Sequence, residues 1–419
     1  MYISHLFIPH IPPPSPGFYS TALTRICICQ IKIVSLLPEI ALPMKIAFCL
    51  PNTYILDGLR RIITYKANLM ASHGHEVFII TTDQDGRPDA FPLHPNVKRI
   101  DLDLIYSDSL SLGLLKRYFL RRKLQKRHKQ LLTRLLKSLR PDITTSTFHQ
   151  ELRLLPHIKD GSKKIVEHHG CHDNRMLQSR PGVWKLIDRY LSFVEYRAVK
   201  RYDCLVCLTR KDKLAWKGID NIAVIPGFIK NLPDRSAPLT SKSMIAAGRF
   251  SREKGFDMMI AAWSLVAKKH PDWKLHIFGD GILKKDLQKQ ISDLQLADVI
   301  TLHKPIENIG NEYLRHSALI SSSRVEGFGL TIIEAMKCGL PPVSFDSPNG
   351  PQSIITHEHD GLLVPLNDTH ALADQIIRLI EHPDLRKTLG RNAISTAANY
   401  EAETVIPKWE QLYASILPQ

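Results

Sequence analysis

Apolar runs and amphipathic segments alternate along the chain from Lys45 onward. The series opens with the apolar run KIAFCL, the helical segment LRRIITYKANLMASHG and a second apolar run, EVFIITT. Short continuous apolar runs are typical of strands in a parallel sheet that helices cover on both faces, and Gly74, after the last periodic position, is a common helix stop. The pattern therefore predicts a βαβ unit at the start of an α/β domain.

The same alternation continues along the chain and divides it in two. Further strands are predicted in the first half at DITTST, KKIVEHH, CLVCLT and IAVIPG, and in the second half at SMIAAG, WKLHIFG, DVITLH, ALISSS and PPVSFD. Between the halves, GFIKNLPDRSAPLTSK is polar, contains two prolines and has little periodicity, which is typical of a linker. We predict a first domain at 44–226, a linker at 227–242, a second domain at 243–398 and a C-terminal helix at 399–419 that packs back on the first domain.

Each half is predicted to be a doubly wound, Rossmann-like domain. Ligands of such open sheets bind beyond the carboxyl ends of the strands, and two such domains that face each other form a cleft. With 419 residues, the chain is long enough for two cores, since single domains usually hold roughly 100 to 200 residues. The predicted fold class is therefore α/β, with two Rossmann-like domains facing each other across a cleft.

Residues 1–43 do not follow this pattern. They contain IPHIPPPSPG and a short apolar stretch between prolines, without the basic start and small-residue cleavage site of a secretory signal. Met44 opens MKIAFCLPN, a strand of the kind that begins many nucleotide-binding domains. We expect Met44 to be the true start and residues 1–43 to be a disordered or non-native extension, which N-terminal sequencing of the native protein would test.

Composition places the chain among folded, soluble proteins. Apolar residues make up 44% and charged residues 23% of it, which is ordinary for globular proteins. Every apolar stretch is interrupted before the ~18 residues that a membrane-spanning helix needs. The seven cysteines are scattered, which suits a reducing compartment such as the cytoplasm. Cys204 and Cys207 form a C-x-x-C inside the apolar run DCLVCLT, which favours a buried strand over a zinc or redox site.

The net charge of +15 indicates an anionic partner. Between Lys116 and Arg140 the chain carries eleven Lys or Arg and no acid, with leucines at helical spacing. Such a basic amphipathic helix favours anionic lipid headgroups, at about 1 kcal/mol per basic residue near the surface. A solvated helix face beside a core stripe is the alternative. No aromatic platform or known binding motif accompanies the charge, so we do not expect a nucleic-acid partner.

Two turns in the second half carry groups suited to a phosphate ligand. GRFSREKGFD places Arg249 and Lys254 between a strand and a helix, where two cations and the helix N-terminus suit a diphosphate. FGDGI places Gly279 and Gly281 after the next strand, where glycines allow backbone to approach a ligand. The alternatives are a surface turn with incidental basic residues and a tight strand-to-helix turn, and Lys284 interrupts the G-x-G-x-x-G dinucleotide fingerprint.

The most informative segment is SSSRVEGFGLTIIEAMKCGLPPVSFD, in which a strand runs into a glycine-rich loop and then a helix from about Leu330 to Cys338. Gly327 and Gly329 expose backbone N–H groups where the helix dipole favours negative charge, which suits a phosphate. Glu334, one turn into the helix, is placed to accept both hydroxyls of a ribose, and Glu326 in the loop to accept sugar hydroxyls. A capping acid followed by a solvated mid-helix glutamate is the alternative.

Two glutamates eight apart in EGFGLTIIEAMKCGLP, preceded by GRFSREKGFD and FGDG, resemble the retaining GT-B glycosyltransferases of family 4 (group 1). The resemblance extends from Met44 to the C-terminal end and includes TTDQDGRP, GSKKIVEHH, SPNGP and GLLVP, which are similar to bacterial enzymes that build surface polysaccharides. It implies a GT-B fold and a nucleoside-diphosphate sugar, most commonly a UDP-sugar, bound mainly by the second domain. It also implies that the first domain binds the acceptor and that no metal ion or other cofactor is required.

The resemblance also assigns roles to individual residues. Arg249 and Lys254 would contact the diphosphate, Glu334 the ribose and Glu326 the hydroxyls of the donor sugar, which makes Glu326 a catalytic candidate as well. The complete predicted donor set is Gly58, Arg249, Lys254, Gly279, Gly281, Glu326, Gly327, Phe328, Gly329, Leu330 and Glu334. At the first βα loop, where many relatives have a Gly-Gly pair, this chain has Leu56-Asp57-Gly58-Leu59, so that one glycine remains.

The family commonly places a histidine near the reacting sugar carbon, after the strand equivalent to KKIVEHH. Two candidates, His168 and His169, stand together here, and strand alternation sends them to opposite faces. We favour His169, because related bacterial sequences often read Glu-x-His at this place, as Glu167-His168-His169 does. A histidine used only for packing or on the surface is the alternative.

The predicted function is therefore the transfer of a hexosyl-type sugar, with retention, to a glycan or lipid-linked acceptor of polysaccharide or lipopolysaccharide synthesis. The predicted place is the cytoplasm, at the inner face of the cytoplasmic membrane. Three alternatives remain: a metal-dependent transferase using the D-x-D spacing of Asp101 and Asp103, another GT-B enzyme such as an epimerase or phosphorylase, and a catalytically silent module that binds nucleotide sugar at the membrane.

Overall fold

The structure is a computed structural model, and it describes residues 43–111, 113–172, 175, 182–306 and 308–418. The predicted extension at 1–43 lies, apart from Pro43, outside the described residues. Strands and helices are numbered below in chain order.

Seven parallel strands form the first sheet, in the order β3-β2-β1-β4-β5-β6-β7. They are β1 Lys45–Cys49, β2 Glu76–Thr81, β3 Val97–Asp101, β4 Ile143–Ser146, β5 Lys163–His168, β6 Cys204–Cys207 and β7 Ile222–Val224. The α-helices that the structure describes in this domain are α1 Gly58–Ser72, α2 Leu114–Leu139, α3 Val183–Val199 and α4 Arg210–Ala215.

Six parallel strands form the second sheet, in the order β10-β9-β8-β11-β12-β13. They are β8 Ser243–Ala247, β9 Lys274–Phe278, β10 Ile300–His303, β11 Leu319–Ser321, β12 Pro342–Phe345 and β13 Leu362–Val364. The helices that follow β8 are α5 Phe256–Lys269, α6 Lys284–Asp293, α7 Gly310–Tyr313, α8 Leu330–Lys337, α9 Thr369–Glu381, α10 Pro383–Ala397 and α11 Ala402–Ile416. Two doubly wound parallel sheets confirm the predicted fold class.

Alternate residues of β1 show why these strands read as continuous apolar runs. Ile46 and Phe48 enter one core together with α1, whereas Ala47 and Cys49 enter a second core on the opposite face, beneath α2. All four side chains are fully buried. A strand covered on both faces has no solvent side, so its sequence has no polar alternation.

The chain returns to the first domain at its C-terminal end. Ile229, after β7, forms an isolated parallel bridge with Glu401, and α11 begins one residue later. The buried side chains of Ile406, Trp409 and Tyr413 on α11 join the core that contains β1 and α1. This helix therefore closes one face of the first sheet.

The predicted basic helix is present as α2, which spans 26 residues. Among the described residues, its buried side chains are His128, Leu132 and Leu136, all in its second half, and Leu132 and Leu136 join the core on one face of the sheet. In the part of the chain that the structure describes, no helix has both the length and the apolarity needed to cross a bilayer.

Candidate functional site

The residues predicted to bind the donor meet the loop that follows β5 in the first domain. A Cβ atom at Gly327 would overlap the carbonyl oxygen of His169, and its nearest other neighbour would be Gly170. A Cβ at Gly58 would lie 3.0 Å from the Leu330 side chain. Gly327 thus allows the backbones of the two domains to approach closely beside His169, and Gly58 leaves room for the Leu330 side chain.

Glu334, the residue predicted to hold ribose, is buried within α8. Its Oε1 forms an ion pair with Arg61 of α1, and its Oε2 accepts a hydrogen bond from the Tyr313 hydroxyl at 3.2 Å. Burial raises the pKa of Glu334, while Arg61 and Tyr313 oppose that rise. Both carboxylate oxygens therefore have partners, and a ribose hydroxyl would compete with them.

Glu326 and Lys254 contact each other directly. The Lys254 Nζ lies 2.6 Å from Oε2 of Glu326, and the Ser323 hydroxyl donates to the same oxygen at 3.0 Å. Glu326 also forms a backbone bridge with Asn349. The cation predicted to contact the diphosphate is thereby adjacent to the carboxylate predicted to contact the sugar.

Asp57 occupies the N-terminus of α1, immediately before Gly58. Its Oδ1 accepts a hydrogen bond from the backbone N–H of Arg60 at 2.9 Å, and its Oδ2 pairs with the Arg60 guanidinium at 2.8 Å. Arg249 reaches Oδ2 of Asp57 from the second domain, at 3.4 Å. A carboxylate at a helix N-terminus is stabilised by the helix dipole. A phosphate entering here would therefore compete with Asp57 for Arg249.

The glycine-rich loop sets the start of α8. Gly329, with a φ of 112°, is the residue that precedes the helix, in a region that side chains rarely adopt. Phe328 is buried and packs edge-on against Tyr400, with ring centroids 5.6 Å apart. Phe328 therefore anchors the loop, and Gly329 permits the turn from which α8 begins.

Gly279 and Gly281 serve close packing between two loops of the second domain. A Cβ at Gly279 would overlap the carbonyl oxygen of Gly248, and one at Gly281 would overlap that of Phe250. These contacts account for both glycines without a ligand. Their contact with donor stays a prediction.

His168 and His169 point to opposite faces, as strand alternation requires. His168 is buried, lies 2.8 Å from Asp212 (Nδ1 to Oδ2), and packs against the rings of Phe148 and Trp216. His169 follows the end of β5, and its Nε2 lies 3.0 Å from Oε2 of Glu167. The His168 side chain is thus held in the first domain, and its partner Asp212 also lies 3.5 Å from the Asn349 amide of the second domain, whereas the backbone carbonyl of His169 adjoins Gly327.

A buried charge network lies behind His169. Glu167 also forms an ion pair with Lys66 of α1, and both side chains are fully buried. The Lys66 ammonium lies 3.4 Å from the ring centroid of Trp409 on α11. Burial lowers the pKa of Lys66 to about 8. Burial alone would raise the pKa of Glu167. The nearby Lys66 and His169 outweigh that effect and hold the Glu167 pKa below its ordinary value. The network fixes Glu167 as an ionised partner of His169.

Sequence reasoning missed the site residues that depend on tertiary contacts. Arg61, Tyr313 and Asp212 sit in ordinary helical segments, and nothing near them in the sequence distinguishes them. Asp57 did carry a signal, because an aspartate just before a helical run is a typical N-cap. Glu167 was noted only as a neighbour of the two histidines.

Two alternative motifs lie in other surroundings. Asp101 ends β3, two strands away from β1, and accepts a hydrogen bond from the Thr81 hydroxyl at 2.9 Å. Asp103 lies in the loop that follows. Cys204 and Cys207 lie buried in β6, and burial raises the pKa of each thiol. Neither motif is among the residues gathered at the interdomain cleft.

Comparison with family models gives two matches that together cover 56–396. Residues 56–230 match the model described as Glycosyltransferase Family 4, and residues 229–396 match the model described as Glycosyl transferases group 1. The boundary between the matches falls just after β7, between the two sheets. Each sheet therefore corresponds to one half of the same kind of enzyme.

Relatives differ in how much of their length the chain spans. An uncharacterised glycosyltransferase of Haemophilus influenzae is 26% identical over 87% of this chain and 99% of its own length. An exopolysaccharide phosphotransferase of Streptomyces coelicolor is 33% identical over 51% of this chain and 24% of its own length. A poly(ribitol-phosphate) alpha-N-acetylglucosaminyltransferase of Staphylococcus aureus is 29% identical over 61% of this chain and 52% of its own length.

Solved structures share the whole architecture. Sucrose-phosphate synthase from Thermosynechococcus elongatus has a TM-score of 0.75 at 19% identity and covers 88% of this chain and 98% of its own. The Anabaena protein HepE, solved with UDP and glucose, has a TM-score of 0.67 at 17% identity and covers 89% of this chain and 100% of its own. With two parallel sheets, a shared cleft and both family models matched in order, this chain belongs to the GT-B glycosyltransferases of family 4, group 1, and resembles the bacterial enzymes of surface-polysaccharide synthesis.

Proposed function

We propose that this glycosyltransferase transfers a hexosyl-type sugar from a UDP-sugar to a glycan or lipid-linked acceptor, with retention of anomeric configuration. The observation that carries the proposal is the approach of Gly327, the residue next to the Lys254–Glu326 pair, to the backbone of His169 in the first domain. Cations, the backbone N–H groups of a glycine-rich loop and two carboxylates are groups that suit a nucleoside-diphosphate sugar. The UDP in the structurally similar HepE supports the choice of nucleotide.

The donor is proposed to lie along the second domain. The ribose hydroxyls displace Arg61 and bind Glu334. Arg249 and Lys254 bind the diphosphate. Glu326 then accepts hydrogen bonds from the sugar hydroxyls, beside Lys254. The first turn of α8 directs its N–H groups and the positive end of its dipole toward the phosphate. Each of these groups is on the side of the cleft that the donor must occupy.

Transfer is proposed to proceed from one face of the sugar. The bond between the anomeric carbon and the phosphate oxygen breaks, the acceptor hydroxyl oxygen bonds to that carbon on the same face, and its proton passes to the departing diphosphate. Negative charge develops on the leaving group, so the fixed charges of Arg249 and Lys254 stabilise the transition state more than the ground state. These two cations do the work that a metal ion does in metal-dependent transferases. His169 contacts the sugar near the reacting carbon.

Retention is supported by the kind of product that one relative makes. The Staphylococcus aureus relative is named as an alpha-N-acetylglucosaminyltransferase, and nucleoside-diphosphate N-acetylglucosamine carries the sugar in the alpha configuration. Donor and product then share one configuration. The names of the relatives also support cell-surface glycan as the acceptor class, and the basic helix α2 supports a place at the inner face of the cytoplasmic membrane, against anionic lipid.

A panel of UDP-sugars and other nucleotide sugars, each labelled in the sugar, tests the proposal. We expect turnover or slow hydrolysis with at least one UDP-hexose, unchanged in excess EDTA, and a product whose anomeric proton shows retention by NMR. Activity that EDTA abolishes and manganese restores would overturn the metal-free mechanism. Binding without turnover across the whole panel would favour a catalytically silent module.

A further inference from the structure

Two helices of the first domain extend well beyond the sheet on which they pack. The 26 residues of α2 span about 39 Å at 1.5 Å per residue, whereas strands of four to six residues span roughly 13 to 20 Å. The buried side chains of α2 begin at His128, and those of α3 are confined to Ala198 and Val199 at its end. The first halves of both helices therefore project from the sheet.

Both projections leave the sheet at the same edge and on the same face. In a parallel βα unit the helix begins where its strand ends, so the N-terminal halves of α2 and α3 lie at the carboxyl edge of the sheet. Leu132 and Leu136 of α2 and Ala198 and Val199 of α3 belong to one core cluster on one face of that sheet. The carboxyl edge is also where His169 lies, at the interdomain cleft.

The projecting half of α3 exposes an apolar stripe. Val183, Leu186, Tyr190 and Phe193 recur at helical spacing and fall within an arc of about 80° at 100° per residue. Leu186 is 68% exposed and Tyr190 is 65% exposed. Asp188 and Glu195 lie roughly on the opposite side of the helix, where they face Arg175. An exposed apolar helix face of this kind marks a binding surface.

The projecting half of α2 combines exposed apolar and basic side chains. Leu115 is 77% exposed and Phe119 is 68% exposed. Around them lie Arg121, Arg122 and Lys123, all exposed, and the whole helix contains no acidic residue. Lys185 and Arg189 are likewise exposed beside the apolar stripe of α3. Each of the two projecting halves thus presents exposed apolar side chains together with exposed basic ones.

We propose that the projecting halves of α2 and α3, residues 114–127 and 183–193, together dock the protein on an anionic lipid bilayer, with the apolar stripe of α3 entering the acyl boundary. Basic side chains bind anionic headgroups and apolar side chains bury in the interface, which is how amphipathic helices attach to membranes. A second copy of this chain fits the surface less well, because it would bring the same acid-free helix and a net charge of +15 against it.

The docking assigns specific residues to the proposed membrane association. One consequence, the class of acceptor, rests on the proposed function. Because the surface lies at the carboxyl edge of the first sheet, a bilayer in contact with it lies at the mouth of the cleft. The acceptor that reaches His169 from that side is one anchored in the membrane, with its reacting hydroxyl close to the headgroups.

Vesicle co-sedimentation of the full chain tests the docking. The probes are vesicles of phosphatidylcholine with about 30% phosphatidylglycerol, which approximates an anionic leaflet, and vesicles of phosphatidylcholine alone. The stripe variant is Leu186→Ser/Tyr190→Ser/Phe193→Ser, and the charge variant is Arg121→Gln/Arg122→Gln/Lys123→Gln. Leu214→Ser on α4 is the matched control, since Leu214 is 75% exposed in the same domain but outside the surface.

We expect wild type and the control to bind anionic vesicles alike and pure phosphatidylcholine weakly. The stripe variant should bind at least about tenfold more weakly at every salt concentration, because the apolar contribution is not screened. The charge variant should lose mainly the binding that salt removes. Wild-type binding by the stripe variant would overturn the proposal. The proposal would also be overturned if the stripe variant bound vesicles normally but changed the oligomeric state measured by sedimentation velocity. The stripe would then be an interface between two copies of the chain.

Binding of UDP to the same variants separates this proposal from the proposed function. All of these exposed substitutions lie outside the donor site, so the UDP-induced thermal shift should equal that of wild type. Vesicle binding that fails while UDP binding and turnover persist contradicts the docking alone. Vesicle binding that persists in a protein with no nucleotide-sugar turnover contradicts the proposed function alone.

Discussion

Arg61 of α1 and Glu334 of α8 form an ion pair across the interdomain cleft, at the carboxylate assigned to ribose. Tyr313 completes the environment of this carboxylate from within the second domain. Removing one partner of a buried pair costs about 3 to 5 kcal/mol, because the other charge is left without compensation. A donor ribose that binds Glu334, as proposed, would therefore have to replace the hydrogen bonds that this carboxylate loses with Arg61.

The pair predicts opposite effects for its two members. Arg61→Met should tighten UDP binding by about three- to tenfold, because the competing cation is gone while Glu334 still accepts the ribose hydroxyls. Glu334→Gln should weaken UDP binding by about tenfold or more, because a charged acceptor is lost. Isothermal titration with UDP measures both. If Arg61→Met weakened binding as Glu334→Gln does, Arg61 would itself contact the donor.

Substitution of His168 and of His169 should have different effects on turnover and on stability. His169→Ala should lower kcat by roughly 100-fold with little change in thermal stability, since loss of a positioned catalytic group typically costs that much. His168→Ala should mainly lower stability, because His168 is buried between Phe148 and Trp216 and bonded to Asp212. Turnover and the thermal unfolding midpoint of both variants decide the matter. A kcat loss confined to His168→Ala would reverse the assignment.

Lys66 and Glu167 should be energetically coupled. Lys66→Met leaves a buried carboxylate and Glu167→Leu leaves a buried ammonium, so each single substitution should destabilise the protein by about 3 to 5 kcal/mol. The double substitution removes both charges and should cost less than the sum by at least about 2 kcal/mol. Urea denaturation of the four proteins gives the coupling energy. Additive losses would mean that the pair does not hold Glu167 in its ionised form.

Glu151 should make the protein less stable as the pH rises. This carboxyl lies in a 3-10 turn at Gln150–Arg153, is fully buried, and approaches Nε2 of His128 at 3.9 Å. Burial raises the pKa of Glu151 from 4.5 to about 7 and lowers that of His128 to about 4. Between these values both groups are neutral, so the contact is not an ion pair.

The sign follows from the raised pKa. Below pH 4.5, Glu151 is protonated in both the folded and the unfolded protein. Between pH 4.5 and about 7, only the unfolded chain releases the proton. This release favours unfolding by about 1.4 kcal/mol per pH unit. Glu151→Gln stays neutral, so its stability relative to wild type should rise by roughly 3 kcal/mol between pH 4.5 and 7.5. Urea denaturation at several pH values measures this. A constant difference between the two proteins would contradict it.

The sequence predicted the fold class and the residues whose role depends on local context. Strand runs such as KIAFCL are apolar because both faces of β1 are buried, and the glycines of EGFGL stand out because a turn into a helix requires them. The strand β13 in GLLVP was not predicted, because its three apolar residues stand between Gly361 and Pro365, which are typical of a loop.

Contacts between distant residues were beyond prediction from one sequence. Arg61 and Glu334 are 273 residues apart, and Lys66 and Glu167 are 101 apart, so nothing in the local pattern of either partner indicates the other. The face that each histidine takes was predictable from strand alternation. The partners that distinguish them, Asp212 and Glu167, became evident only when the sheet and α4 were placed.

Turnover of UDP-hexoses by site variants shows whether Lys254 and Glu326 form the donor site. Wild type should release UDP from at least one UDP-hexose, and Lys254→Met and Glu326→Gln should each lower kcat/KM by about 100-fold or more. Arg252→Met is the matched control, because this exposed cation lies two residues from Lys254 in the same turn; it should keep wild-type kcat/KM. Wild-type kcat/KM in either Lys254→Met or Glu326→Gln, in a protein that turns over a UDP-hexose, would contradict the account.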